Sequence, residues 1–306
     1  MMIDLPSYGP TNRIRLGSFL RFRPLLLNYT GGERLSDFQV KCILTSSDIP
    51  FEKLRADKQD LLFIDNNNEP IPYWIEKTNN SEIIVWLKFS EILSGKEVFY
   101  LYYGNGKFSG VSDGETVFEF FDNFGGASLN TDKWQTIGTF DVLETVNGEL
   151  HAKTEQGSAL VVSKSIYNRN IIIESVTRLI SREVGEAYLV QDIDNWMNNY
   201  YFKGDKWYER IKRRKSGSES VLASQNVSLV FNTYYLLKTI LKSSDIIFKI
   251  YDMDGDLKVT VTASDTTWSN GYVGFRTYGS SGSPAEWYVD WIRVRKYTEI
   301  EPFISL

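Results

Sequence analysis

Along the chain, apolar and polar residues alternate in short runs, and no segment keeps a helical period for long. Phe38, Val40, Cys42 and Leu44 share one face of a segment. Ile83, Val85, Leu87 and Phe89 share a face of another, with Ile84 and Trp86 behind them. Leu61–Asp65, Ile71–Glu76 and Val98–Tyr103 read as further strands, and Asn66-Asn-Asn-Glu-Pro as a turn. Beyond residue 159 the pattern predicts strands over 160–163, 171–180, 186–192, 199–203, 207–212, 234–241, 246–251, 258–262, 271–277 and 287–296. Asn147-Gly148, Lys203-Gly204-Asp205, Asp254-Gly255-Asp256 and Asn270-Gly271 supply the turn chemistry between them. So many short strands predict an all-β chain of two β-sandwich modules, the C-terminal one a jelly roll.

The pattern breaks at Val117–Trp134, where Phe118, Phe120, Phe121 and Phe124 run into Asp122, Asn123, Gly125 and Gly126. Aromatic strand formers meeting a loosened loop mark the start of a second module. The expected boundaries are an arm over 1–18, a β-sandwich over 19–115, the jelly roll over 116–298 and a tail over 299–306. Pro6, Gly9, Pro10 and Gly17 make the opening residues an arm.

Asp37-Phe-Gln-Val, Asp60-Leu-Leu-Phe-Ile-Asp, Ile71-Pro-Tyr-Trp-Ile-Glu, Ile84-Val-Trp-Leu-Lys and Tyr100-Leu-Tyr-Tyr-Gly-Asn occur in that order. Together they resemble an uncharacterised β domain of archaeal and bacterial surface proteins, often followed by a concanavalin A-like lectin domain. The strand Glu286–Tyr297 is similar to the closing strand of concanavalin A-like lectins, laminin G-like domains and family 16 glycoside hydrolases. That likeness implies a concanavalin A-like jelly roll whose last strand lies beside its first, near Phe118–Phe124. It carries no activity over for the first module, and it leaves calcium as the metal that relatives of this fold bind.

At 306 residues, with 42% hydrophobic and 14% aromatic positions, the chain can build two cores. A net charge of −5 argues against nucleic acid as a partner. The single cysteine, Cys42, excludes an intramolecular disulfide and reads as a buried thiol. No run reaches the roughly 18–20 apolar residues of a membrane span. The first residues lack the basic and apolar regions of a secretory signal, so an extracellular, cell-surface or virion location rests on a removed signal or on another release route such as lysis. Asn28, Asn79 and Asn226 open glycosylation triplets, which permit that location.

Hydrolases of this fold carry a tight Glu-x-Asp-x-Glu strand motif, and it is absent here, so no catalytic residue is expected. Asp192 and Asp194 are the nearest pair, and Asn195 turns the chain there. His151 is the only histidine and reads as a strand residue. Asp252-Met-Asp-Gly-Asp lacks the rest of a calcium loop and reads as a hairpin turn. No cofactor is expected; Asp122 and Asp290, near the paired terminal strands, are the candidate calcium ligands.

Sugar recognition needs flat rings beside hydrogen-bonding groups. Trp196, Tyr200, Trp207, Tyr208, Arg210 and Lys212 form the richest such cluster, inside a basic run that continues through Arg213, Arg214 and Lys215. With Trp207 and Ile211 inward, Tyr208, Arg210, Lys212 and Arg214 point outward. These aromatics suit a sandwich core better than a ligand face. The run suits a solvated hairpin end first, an acidic glycan or an acidic partner surface second, and nucleic acid last. The expected function is non-catalytic binding of a carbohydrate or receptor. A self-assembling subunit of a filament, spike or virion is the alternative, with the arm or a sheet edge pairing to a neighbouring copy. A glycoside hydrolase comes third.

Overall fold

A computed structural model describes residues 2–4, 13–181, 184–193, 197–204 and 208–306; for 2–4, 13–14, 184, 203–204 and 208 the backbone alone is described. The protein is nearly all β. It divides into two compact units, Met1–Glu119 with Thr298–Leu306, and Phe120–Tyr297.

In the first unit β1 (Met2–Asp4) pairs with β2 (Arg13–Arg15). The main strands are β3 (Arg21–Tyr29), β4 (Leu35–Thr45), β5 (Leu62–Ile64), β6 (Tyr73–Thr78), β7 (Glu82–Ile92) and β8 (Gly95–Tyr103). A three-stranded sheet, β4-β7-β6, faces a four-stranded one in which β3-β8-β5 is completed by the C-terminal segment. Residues 299–306, expected as a tail, therefore include a strand: Phe303–Ser305 pairs with Leu26–Asn28. Asn28 is buried there and its amide donates to the Leu26 carbonyl and to Ser305 Oγ at 3.0 and 3.1 Å, so the acceptor asparagine of this glycosylation triplet lies inside the fold. The alternation read from the sequence sets the core: Phe38, Val40, Cys42, Leu44, Ile83, Val85 and Leu87 are buried against Phe63, Phe99 and Leu101. Tyr73 ties the layers by donating to the Leu61 carbonyl at 2.5 Å.

The junction differs from the expected strand at Val117. Asp113 caps the helical turn α1 (Gly114–Val117) by accepting from the Glu115 N–H at 2.9 Å, and extended chain resumes only at Phe120.

The second unit contains β9 (Phe120–Asp122), β10 (Trp134–Ile137), β11 (Val142–Val146), β12 (Glu149–Thr154), β13 (Gly157–Ser163), β14 (Tyr167–Asn168), β15 (Ile171–Leu179), β16 (Val184–Val190), β17 (Asn199–Gly204), β18 (Tyr208–Lys215), β19 (Ser218–Asn226), β20 (Thr233–Lys242), β21 (Asp245–Asp252), β22 (Leu257–Ser264), β23 (Asn270–Gly279) and β24 (Ala285–Lys296). One sheet runs β10-β13-β23-β16-β17-β18-β19 with β14 beside β23; the other runs β11-β12-β24-β15-β20-β21-β22 with β9 beside β24. The last long strand thus returns beside the first, Ile292 opposite Asp122 and Val294 opposite Phe120. Between the sheets Phe202 stacks on Phe248 with centroids 3.4 Å apart, Phe275 meets Trp287 at 5.0 Å, and Trp134 lies edge-on to Phe120 at 5.0 Å. Because side chains alternate along a strand, these inward residues fix which residues face outward.

Candidate functional site

Phe202 and Ile211 belong to the core, so Asn199 and Tyr201 on β17 and Arg210, Lys212 and Arg214 on β18 occupy the outer face of their sheet. On β23 the inward Phe275 places Tyr272, Gly274, Arg276 and Tyr278 on that face. The register aligns Val162, Gly274, Ala187, Tyr201, Lys212 and Val221 in one row across the sheet. The neighbouring row passes from Leu160 through Arg276 to Gly185.

The small residues of β16 let the flanking strands communicate. Gly185 and Ala187 add almost nothing above the backbone, so the Arg276 guanidinium reaches across β16 to lie 4.5 Å from the Tyr201 ring and 5.4 Å from that of Tyr278. Gly185 accepts no side chain at all, since a Cβ would sit 1.9 Å from the Phe202 carbonyl oxygen. The guanidinium also donates to Ser158 Oγ at 3.1 Å. Beyond Tyr201, Lys212 Nζ stands 5.7 Å from its ring, and Glu219 on β19 accepts from Lys212 and Arg214 at 3.0 and 3.1 Å.

Charge and hydrogen bonding lock this cluster. Burial raises the Glu219 carboxyl, but hydrogen bonds from Tyr201 and Lys212 and the charges of Lys212 and Arg276 outweigh it and hold the group at about 2. The Tyr201 hydroxyl is pushed well above its ordinary value by burial and then by its bond to Glu219. Tyr201 is the floor, 1% exposed under the cations, whereas Tyr278 at 38% is the accessible ring.

Of the residues singled out in the sequence, Lys212 joins the cluster and Arg210 sits one row away on the same face. Trp196 and Trp207 lie outside the described residues, as does the side chain of Tyr208. Tyr200 is corrected. Its ring is fully buried between the sheets, with its hydroxyl donating to Asp265, whose other oxygen accepts from Arg213 at 2.6 Å. With two adjacent tyrosines the choice of inward ring depends on register, and the strand turns Tyr201 outward instead. Arg276 and Tyr278 were missed because they arrive from β23, whose proximity only the sheet order reveals, and Glu219 because β19, reached by the turn at Ser216-Gly217, carries no apolar alternation to mark it as a strand.

Asp122 is occupied as a structural acceptor: Oδ2 receives the Trp134 indole N–H at 2.7 Å and Oδ1 the Phe124 N–H at 2.8 Å. Asp290 is half-buried on the other sheet, its carboxyl raised by burial and by nearby Glu149. Among the described residues no three His, Cys, Asp or Glu side chains are grouped to hold a metal. Asp252 accepts from the Asp254 and Asp256 N–H groups at 3.1 and 2.9 Å, closing its own turn. On the outer face of the second sheet a ladder runs across five strands: His151, 3.1 Å from Glu144 and 3.0 Å from Glu286, stacks on Tyr288 at 4.2 Å, and Arg178 covers the ring of Tyr288 at 4.1 Å and lies 5.3 Å from that of Tyr234. Tyr288 is thus enclosed on both sides.

The first unit has a cleft of about 630 Å³ lined by Asp65, Glu69, Lys88, Glu91, Lys96 and Glu97 among others. Burial, then the charges of Asp65 and Glu91, raise the Glu97 carboxyl. Asp65 accepts from the Asn67 and Glu69 N–H groups at 2.8 and 2.7 Å.

Residues 57–137 match a domain of unknown function, DUF2341. The DUF2341 match begins in the first unit and ends with the first strands of the second. A search of curated proteins finds no match. Among solved structures, the chain is similar to the carbohydrate-binding module CBM66 from Bacillus subtilis, at 21% identity over 57% of this chain and 97% of the other, TM-score 0.40. A Bacillus subtilis protein of unknown function with a galectin-like fold aligns at 11% identity over 58% and 96%, TM-score 0.47. An endo-β-1,3-glucanase from Pyrococcus furiosus aligns at 13% identity over 60% and 95%, TM-score 0.45. Among the described residues no helix is long and apolar enough to cross a membrane.

Proposed function

We propose that the protein is a non-catalytic, extracellular glycan-binding protein that engages its ligand on the outer face of the sheet containing β17, β18 and β23. The observation that carries this reading is the cluster itself: an accessible ring, Tyr278, beside ordered cationic donors and one ionised acceptor, Glu219. A sugar presents C–H faces to a ring and hydroxyls to paired donors and acceptors, and this set offers all three. Glycoside hydrolysis needs two carboxyl groups across the bond, one of them protonated at working pH. Among the described residues on the strands of this face Glu219 is the one carboxylate, and it is held ionised. A glycan array probed with the wild-type chain and with Tyr278→Ala tests the reading. Binding lost in the variant supports it; release of reducing sugar from any bound polysaccharide overturns its non-catalytic part.

One observation favours a second reading, association with a neighbouring copy. The outer face of the first unit's four-stranded sheet exposes Phe22 (62%), Phe303 and Val98. Light scattering across a concentration series tests it, a constant monomer mass removing this reading.

A further inference from the structure

The outer face of the first unit's four-stranded sheet decides how a neighbouring copy sits and how many copies join. Strand register places Phe22 beside Tyr102, Pro24 beside Tyr100, and Leu26 between Val98 and Ser305 on that face. Phe22 lies 5.8 Å from the Tyr102 ring and 6.3 Å from that of Tyr100, so the aromatics form one continuous surface. Where one face of an antiparallel sheet meets water, its outward positions are ordinarily polar. The chain keeps that rule on β22, whose outward residues are Lys258, Thr260, Thr262 and Ser264. On β3 and the C-terminal half of β8 it breaks the rule: apart from buried Asn28, every outward residue from Phe22 to Asn28 and from Val98 to Tyr102 is apolar or aromatic. Leu62 and Ile64 of β5 share this face but are already covered by Leu16, Phe19 and Phe108. The side toward the C-terminal strand stays open, with Phe303 56% and Val98 37% exposed. Lys96, opposite Asn28, brings the one charge to these rows, and depletion of charge is the mark of an interface centre.

The area suffices for a pair. A fully buried ring loses about 150–250 Å² of accessible surface, so at their exposures Phe22 and Phe303 leave roughly 200 Å² of it bare. Leu20 just before β3, Pro24, Val98 and Leu306, the last bordering a hollow of about 410 Å³ with Phe22 and Pro24, bring the patch to on the order of 600 Å². That is the upper end of what a monomer ordinarily exposes. Two such faces pressed together bury about 1,200 Å², where stable interfaces begin.

The rest of the surface limits the geometry. A head-to-tail contact needs a second, different patch for this one to meet, whereas a two-fold contact lets the patch meet itself. Among the described residues the other strongly exposed apolar side chains, Ile43 on β4, Ile166 before β14, Val221 on β19 and Leu257 on β22 among them, stand on separate elements. The best complement to this face is therefore the same face of another copy.

We propose that two copies associate through this face about a two-fold axis, burying Phe22, Leu26, Val98 and Phe303 between them, and that assembly stops at the dimer. The inference rests on the second reading above, association with a neighbouring copy.

Sedimentation equilibrium of the full chain across a concentration series tests it, comparing wild type, Phe22→Ser, Val98→Lys and an exposed control elsewhere, Leu257→Ser, with thermal melting to confirm folding. The expected result is a mass that rises from 35.3 kDa and levels off at twice that value. The dissociation constant should rise by about thirtyfold in Phe22→Ser and in Val98→Lys and stay unchanged in Leu257→Ser; if one variant unfolds, the other carries the test. A mass that keeps growing past two copies, and stops growing in the same variants, overturns the closed dimer and leaves the association reading standing. A dimer indifferent to both variants puts the contact on another face and overturns the proposal. A constant monomer mass overturns the proposal and the association reading together, and retention of that monomer by an insoluble neutral polysaccharide, lost in Phe22→Ser, would give the face to a ligand instead.

Discussion

Glu186 is a carboxyl group placed where a sandwich ordinarily puts hydrocarbon. It points from β16 into the core of the second unit, fully buried, and accepts from Ser175 Oγ at 2.9 Å and Thr239 Oγ1 at 2.6 Å. Burial lifts it to about 7 against an ordinary 4.5, more than those two bonds lower it. The folded state therefore holds this proton more tightly than the unfolded chain between pH 4.5 and 7, so the group's contribution to stability is full below 4.5 and is lost as pH rises through 7. The difference corresponds to about 3 kcal/mol, or roughly 6–12 °C in melting temperature for a domain of this size. Glu186→Gln keeps the shape and an acceptor but cannot ionise. Calorimetric melting of wild type and variant from pH 4.5 to 8.5 should give a difference curve that climbs in the variant's favour and levels off above 7. A difference independent of pH across that range would refute the reasoning, because it would mean that the carboxyl does not pass from neutral to charged inside the core.

Other consequences are simpler to check. Gly185→Ala should destabilise the second unit by about 1–3 kcal/mol in urea unfolding, since its Cβ meets the Phe202 carbonyl, and should weaken glycan binding by lifting Arg276 off Tyr201. Trp134→Phe should cost about 1–3 kcal/mol by stripping buried Asp122 of its indole donor; an unchanged urea midpoint would contradict that. Cys42, buried and with its thiol pushed up to about 12 by burial and by Asp48, should resist thiol reagents at pH 8 until the first unit unfolds.

Much of the fold was legible because one face of each strand is dry. The alternation in Phe38–Leu44 and Ile83–Phe89 marks the core of the first unit, and the turn at Asn147-Gly148 takes positive φ at both residues, 54° and 79°, as its sequence demands. Strands without that contrast escaped. Ser218–Asn226 is an exposed edge strand of mostly polar residues, and Arg21–Tyr29 is interrupted by Pro24, tolerated because Phe303–Ser305 pairs only with Leu26–Asn28. The candidate site was half legible. Arg210, Lys212 and Arg214 follow from local alternation once Ile211 is inward, but the partner Arg276 is about 60 residues away in sequence. It is brought close by a sheet order, β23-β16-β17, that no local pattern encodes. Choosing between Tyr200 and Tyr201 likewise needed the register rather than the composition.

The central claim concerns which surface meets the glycan, and hydrogen–deuterium exchange of the full chain with and without a saturating concentration of a glycan that it binds on the array reads that surface directly. The account predicts new protection concentrated in Tyr208–Asn226 and Asn270–Gly279. Protection confined to the cleft around Asp65, Glu91 and Glu97, or to the ladder around His151 and Tyr288, would contradict it.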